Sequence, residues 1–345
     1  MADVFRIRLA ILQQPGEEPW LFLDDERIRL WNTVKISVTL SEEEEVELID
    51  GYITQIKPHI DPDESKCSVE IWGMDASVLM SLEEKIKDWP KKKDSDIAEK
   101  IFKSYSLAVD SDTVENTEIV HDDKVATIIQ RETDIQFLKR LAQRNGYECY
   151  VKGKTGYFRK PILDKNKKQP VLAAHFGEET NLMKFDAKLN AQRPISRVEM
   201  HQIDTIGKKI DDAEITKTSH DQLGRDGALS ISPPNSIQSR LFMKHAVATG
   251  KPEMKRFCEA IFDEAQWLIA ANGEIDSVAY GAVLQAKNLV PIKGVGETFS
   301  GLYYVTSVKH VFNTERYVQR FTARRNALAP SGPEDFAENG GSLPF

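Results

Sequence analysis

Tyr304-Val305-Thr306-Ser307-Val308-Lys309, near the end of the chain, repeats Tyr52-Ile53-Thr54-Gln55-Ile56-Lys57 near its start. Tyrosine, threonine and lysine are identical. Ile53 and Ile56 become Val305 and Val308, exchanges between β-branched residues. Each segment follows a glycine-led stretch read as a turn, Gly51 in one case and Gly296 to Gly301 in the other. Each is followed by a second strand, Cys67-Ser68-Val69-Glu70-Ile71-Trp72-Gly73 and Tyr317-Val318-Gln319-Arg320-Phe321-Thr322-Ala323. Amphipathic strands resemble one another cheaply, because Val, Ile and Thr favour strands anyway. The shared hairpin context favours duplication: two copies of one small β-barrel, each interrupted or followed by helical material. The spacing is far too long for a solenoid repeat.

Working outward from the first copy, residues 1–75 read as antiparallel β-structure. Phe5, Ile7 and Leu9 alternate with Arg6, Arg8 and Ala10, and Val34, Ile36, Val38 and Leu40 alternate with Lys35, Ser37 and Thr39. Leu21-Phe22-Leu23 reads as a further short strand, between turns at Gln14-Pro15-Gly16 and Asp24-Asp25. Glu42 to Glu45 reads as a solvated loop or strand end. The pattern then becomes α+β. Asp94, Ser95 and Asp96 offer caps for a helix through Ile97, Ala98, Ile101 and Phe102. Thr133 with Gln136 forms a capping box before the stripe Ile135, Leu138, Leu141 and Ala142, with Gly146 as the C-cap. A hairpin follows around Lys152 to Gly156.

β-signals return at Val171 to Phe176, Met183 to Leu189 and Ser196 to Ile203. Residues 217–240 read as a long loop. Met254, Phe257, Cys258, Ile261, Phe262, Ala265, Leu268 and Ile269 predict a helix with Pro252 in its first turn and Gly273 at its end. Phe299 to Phe312 and Tyr317 to Ala323 predict a closing hairpin. The domain reading is a first β-barrel over 1–80, an α+β insert over 81–166 and a second β-barrel over 167–216 and 272–326. A loop and helical insert spans 217–271, and a flexible tail 327–345.

With 46 basic and 54 acidic residues the net charge is −8, which argues against nucleic acid as the main partner. The start, MADVFRIRLA, carries no signal-peptide pattern, and no stretch is apolar enough to span a membrane. Cys67, Cys149 and Cys258 have no CxxC spacing and read as reduced, buried thiols of a protein made in the cytoplasm.

Catalytic and ligand patterns are weak. Gly294 to Gly301 lacks the glycine spacing of a nucleotide loop and precedes a strand, where phosphate binding needs a helix N-terminus. His121-Asp122-Asp123 reads as a solvated turn, and His201 with Asp204 has no third metal ligand in sequence. The basic run from Lys152 to Lys168, with Tyr157 and Phe158, reads as a solvated rim. No catalytic, cofactor or metal residue is singled out. A glutamate pair for glycan cleavage stays open, because carboxylates are abundant.

The segment GETFSGLYYVTSVKHVFNTERYVQRFTARRN (296–326) resembles the closing signature of late-control D-type baseplate hub proteins. These belong to contractile phage tails and contractile injection systems, and are similar to the hub part of type VI valine-glycine repeat spike proteins. Ile71-Trp72-Gly73-Met74-Asp75, Asp96-Ile97-Ala98, residues 130–151 and Gly273-Glu274-Ile275 fit the same family in the same order. The resemblance implies a mainly β fold with α+β insertions: two similar antiparallel β-barrel domains in a ring-forming trimer. Six pseudo-equivalent barrels would then join a hexameric inner tube to a trimeric spike.

The implied protein is structural and not an enzyme. Its partners would be its own copies, an inner tube protein, a separate spike protein, other baseplate proteins and possible cargo, in an assembled particle. The echo residues Tyr52, Ile53, Thr54, Ile56 and Lys57 would match Tyr304, Val305, Thr306, Val308 and Lys309, with Lys57 and Lys309 either in matching roles or simply exposed. Spike fusions of the family continue into further domains. This chain ends at SLPF, which makes Leu343, Pro344 and Phe345 a candidate spike tether. The rival readings are a tail-associated cell-wall hydrolase and a β-barrel module for a ligand or nucleic acid.

Overall fold

A computed structural model describes every residue except 1, 12–19, 21, 41–44, 122–126, 193, 205–206, 232–233, 235–236, 245–246, 333–335 and 337–345. The chain divides into two compact units: residues 1–143 with 147–159, and residues 144–146 with 160–345.

The first unit opens with strands β1 (Val4–Ala10), β2 (Thr33–Thr39), β3 (Glu45–His59) and β4 (Ser68–Asp75). They form an antiparallel sheet in the order β1-β4-β3-β2. Alternation explains its buried face: Phe5, Ile49, Ile53, Val69 and Ile71 fill the core. The expected glycine turn at Gly51 is absent. Gly51 lies inside β3 opposite Asp75, where a Cβ would strike the Met74 carbonyl. Glycine here permits close backbone approach and bends nothing. Leu23 lies in a turn, so the strand expected at Leu21-Phe22-Leu23 does not form; Leu21 and the Gln14-Pro15-Gly16 turn lie outside the described residues.

The insert of this unit contains β5 (Glu84–Trp89), α1 (Asp94–Ser104), β6 (Ile128–Thr133), α2 (Asp134–Asn145), β7 (Glu148–Lys152) and β8 (Thr155–Arg159). β5 pairs with β6 and β7 with β8. Its core gathers Trp89, Ile97, Phe102, Phe137, Leu138 and Phe158. α1 starts earlier than its capping residues suggested. Lys93 is its N-cap and makes no side-chain cap bond, so Asp94 and Asp96 fall in the first turn, where acids suit the helix dipole. Half of the expected capping box is present at α2, where Thr133 N donates to Gln136 Oε1 at 3.4 Å. Gly146 ends the helix at φ +69°, as a C-cap glycine does.

The second unit contains β9 (Leu172–Ala173), β10 (Leu182–Leu189), β11 (Arg197–Asp204), β12 (Lys209–Ile215), β13 (Asp226–Gly227), β14 (Arg240–Met243), α3 (Lys251–Ala265), β15 (Ile269–Asp276), α4 (Ser277–Tyr280), β16 (Leu289–Lys293), β17 (Gly301–Phe312), β18 (Tyr317–Arg325) and β19 (Ala327–Leu328). A six-stranded sheet runs β10-β15-β18-β17-β16-β9. Its core includes Leu172, Ile275, Val290, Ile292, Tyr303, Val305 and Phe321.

Four expectations about this unit change. Residues 197–204 fall within the expected second barrel, 167–216. They instead form a separate sheet, β12-β11-β14, whose buried face (Val198, Met200, Ala213, Ile215) packs on Met254, Phe257 and Phe262 of α3. The helix ends at Ala265, so Ile269 and Gly273 belong to β15. There Gly273 faces Phe321, whose ring occupies the space of the missing side chain, 2.6 Å from where a Cβ would sit. The stretch 217–240 is not one open loop, and the tail is not wholly free: Asp226-Gly227 pairs with Ala327-Leu328 as β13 and β19.

Candidate functional site

The two echoed strands are the central strands β3 and β17, and each pairs antiparallel with the strand that follows it. Tyr52 faces Met74, Ile53 faces Gly73, the register slips by one residue, and Gln55 faces Trp72. Tyr304 faces Arg324, Val305 faces Ala323, the register slips, and Ser307 faces Thr322. Thr54 and Thr306 are therefore the extra residues of two β-bulges at the same position of the repeat. Bulges bend a strand and raise its twist, which curls a sheet. The threonine hydroxyl serves the same purpose in both. Thr54 Oγ1 donates to Trp72 O at 3.4 Å, and Thr306 Oγ1 donates to Thr322 O at 3.1 Å.

The match extends to the preceding strand. Ile53 N donates to Asn32 O at 2.9 Å, and Trp31 N to Ile53 O at 2.8 Å. Val305 N donates to Asn288 O at 3.0 Å, and Lys287 N to Val305 O at 2.7 Å. Trp31 and Lys287 both hold the left-handed φ of +68° that non-glycine residues avoid. Strands β1-β4-β3-β2 thus correspond, in order and direction, to β15-β18-β17-β16. In the second sheet β10 extends beyond β15 and β9 beyond β16. In the first, β1 and β2 have no further strand among the described residues.

Ile53, Ile56, Val305 and Val308 point toward the cores, and Lys57 and Lys309 are exposed. The lysines occupy equivalent positions in different surroundings. Lys57 lies opposite Glu70 and over the Trp72 ring, 5.5 Å from its centroid. Lys309 lies opposite Arg320, which pairs with Glu274 at 2.7 Å. The charge pattern around the two lysines is inverted. We expect Thr54→Val and Thr306→Val each to destabilise their own unit by about 1 kcal/mol, the worth of one intramolecular hydrogen bond. Chemical denaturation of each variant measures this.

Titratable clusters elsewhere are tied into the framework. His121, expected on a solvated turn, is buried at 2% exposure, with Nε2 2.8 Å from Asp94 Oδ1. Asp122 and Asp123 lie outside the described residues. Asp134 accepts from Lys85, Gln130 and Tyr105. Burial pushes its carboxyl up, but these three bonds outweigh burial and hold it below the usual range. Asp263 on α3 accepts from Thr218 Oγ1, Ser219 N and Ser219 Oγ at 2.6–2.9 Å. Phe158 is buried, so the basic run around it is not an interleaved surface stripe. His201 stacks with Phe242 at 6.3 Å and is exposed. Among the described residues no group of acidic, His and Cys side chains is placed to hold a metal. Gly294 to Ser300 connects β16 to β17 as a hairpin loop. Leu343, Pro344 and Phe345, the candidate tether, lie outside the described residues.

Residues 30–314, from the left-handed turn at Trp31 to the turn between β17 and β18, match the Alg8 N-terminal domain. The chain belongs to the Alg8 N-terminal domain family. No curated protein matches it. Among solved structures, the 43 kDa tail protein of prophage MuSo2 from Shewanella oneidensis is similar, with a TM-score of 0.63 and 13% identity over 95% of this chain and 91% of that one. A tail protein from Neisseria meningitidis MC58 gives 0.60 and 10% over 95% and 89%. A chain of the lidded PdpA-VgrG complex from Francisella gives 0.50 and 12% over 96% of this chain but 48% of that one. This Alg8-family chain therefore has the fold of phage tail proteins and of part of the PdpA-VgrG complex, as the late-control D resemblance implied. No helix among the described residues is long and apolar enough to cross a membrane.

Proposed function

We propose that the protein is a baseplate hub of a contractile phage tail or injection system. Three copies form a ring, and the two repeated sheets of each copy supply six pseudo-equivalent units. The ring caps a sixfold inner tube and seats a threefold spike. Its work is assembly, without catalysis of its own.

The observation that carries this reading is the shared bulge at Thr54 and Thr306, with the matching left-handed residues Trp31 and Lys287. Propensity alone makes two strands similar in sequence. It does not place an unpaired threonine, its hydroxyl bond and a strained turn at the same positions of two sheets. Duplication within one chain lets a trimer offer six near-equal faces. β1 and β2, which no further strand extends among the described residues, also suit a ring, since closed symmetry covers open strand edges.

Mass measurement by light scattering tests this, on the chain alone and on the chain co-expressed with its spike and tube proteins. Three copies in either preparation are expected, and a single copy in both overturns the hub. A zymogram on the purified protein tests the hydrolase reading. Cleared cell-wall substrate would overturn the non-catalytic assignment.

A further inference from the structure

The net charge of the chain is −8, yet a cavity of about 510 Å³ at one end of the first sheet is lined by Arg8, His59, Ser65, Lys66 and Ser68 and by no carboxylate among the described residues. Strand register brings these groups together. Ser68 of β4 lies between Ala10 of β1 and His59 of β3, and the short 3-10 turn Glu64–Lys66 leads into β4. Side chains two residues apart share a face, so Arg8 stands on the same side as Ala10, Ser68 and His59. Ser68 is 5% exposed, and Arg8 Nε donates to its Oγ at 3.3 Å. Arg8, His59 and Lys66 themselves are exposed.

The acids beside this cavity leave its cations available. Glu70, opposite Arg8, pairs with Arg6, and Arg8 has no carboxylate partner among the described residues. Asp63 accepts from Ser65 N and Oγ and pairs with Lys66 at 3.2 Å. The Lys66 and Asp63 side chains are 65% and 50% exposed, where an ion pair is worth little, so the ammonium can turn to a bound anion. The repeat shows that the fold does not need this chemistry. In the second sheet Glu274, Val311 and Val318 stand where Arg8, His59 and Ser68 stand in the first, and Arg316 alone keeps a cation, at the position of Lys66. The same strand order and register form there without the cluster.

We propose that this cavity binds the phosphoryl group of a phosphorylated ligand. Arg8, His59 and Lys66 approach the Ser68 hydroxyl from three separate segments, which suits a tetrahedral anion with several oxygens. A lone carboxylate is satisfied by one guanidinium, as Glu70 is by Arg6 on the same face. Arginine supplies a planar fork of donors and lysine a point charge, and phosphate sites use both. The cavity leaves room beside the phosphate for the group that bears it. A soluble phosphorylated molecule and a lipid headgroup share this chemistry. The site stands whether or not the chain forms a ring.

The test titrates sodium phosphate into the full-length protein by isothermal titration calorimetry at fixed ionic strength, with sodium acetate and sodium chloride in parallel. One phosphate per chain is expected, with a dissociation constant on the order of 1 mM, and acetate about tenfold weaker. Arg8→Gln, Lys66→Met and Ser68→Val should each weaken phosphate about tenfold, the scale of one charge-assisted hydrogen bond. Lys66 is exposed, so its replacement leaves the sheet folded, and Ser68→Val writes the residue that the second sheet carries as Val318. Lys57→Met removes a cation from the same face outside the cavity and should bind as the parent does. Phosphate heats equal to those of chloride overturn the site. An equal loss in Lys57→Met also overturns it, in favour of diffuse surface charge. Flotation with vesicles of equal parts phosphatidylglycerol and phosphatidylcholine, against phosphatidylcholine alone, separates the two sources. Flotation with the anionic vesicles only, lost in Arg8→Gln, assigns a lipid headgroup, and phosphate binding without flotation assigns a soluble ligand.

Discussion

Arg325→Met is expected to destabilise the second unit by about 3–5 kcal/mol, the range for removing a buried, multiply bonded charge. Arg325 is the last residue of β18 and is fully buried. Its guanidinium donates to three carbonyls from three segments: Leu223 O at 3.1 Å, Ser300 O at 2.7 Å and Ala329 O at 2.8 Å. It also lies 5.5 Å from the Tyr303 ring, whose phenol burial pushes up to about 12. The bond to Ser300 exists because Gly301 carries no side chain, since a Cβ there would strike the guanidinium.

Methionine keeps the length and the apolar stem but leaves three carbonyls without this donor. The neighbouring Asn326 holds the same strap, accepting from Leu223 N and donating to Asp221 O, both at 2.9 Å. One bracket therefore remains. The strap should loosen without detaching, with faster tryptic cleavage at exposed Arg225 as the local signature. The denaturation midpoint measures the global cost. A change below about 1 kcal/mol with unaltered cleavage would mean that water replaces the guanidinium at no loss.

Parts of this architecture are legible in the sequence because they depend on side-chain order. The stripe Met254, Phe257, Cys258, Phe262 marks α3, and the alternation around Tyr52 and Tyr304 marks β3 and β17. The bulges at Thr54 and Thr306 leave no local signal. A bulge is a slip between two strands, and threonine is an ordinary strand residue. β12 escapes notice for a related reason. Its sequence KIDDAEI buries Ala213 and Ile215 but leaves Ile210 at 70% exposure, so its apolar residues do not alternate in one phase. Gly51 and Gly273 invite turns in sequence. Only the facing strand reveals them as places where the Met74 carbonyl and the Phe321 ring come too close for a side chain. The buried pair His121 and Asp94 is hidden in the same way, because contacts across the fold decide burial and the run His-Asp-Asp suggests solvent.

Acidification should weaken the second unit by about 3 kcal/mol between pH 6.5 and 4, largely through His310. Burial holds this imidazole at about 4, against 6.5 for the free side chain. Between those values the unfolded chain binds a proton that the folded chain refuses. Stability therefore rises with pH across the window, is fully present above 6.5 and is lost as pH falls toward 4. The shift of about 2.5 pH units at 1.36 kcal/mol each sets the size. His220 acts in the same direction: burial lowers it, Asp263 opposes that, and Arg324 adds to it. His310→Gln retains a polar partner for the Tyr317 hydroxyl and removes the titration. Its denaturation midpoint should stay nearly flat from pH 7 to 5, while the parent falls. Parallel slopes in the two proteins would place the acid sensitivity elsewhere. The same protonation would charge a ring hydrogen-bonded to the tyrosine beneath Phe312. In the folded chain that charge arrives only as pH nears 4, so the stack of Phe312 on Tyr317 should loosen at the bottom of the window.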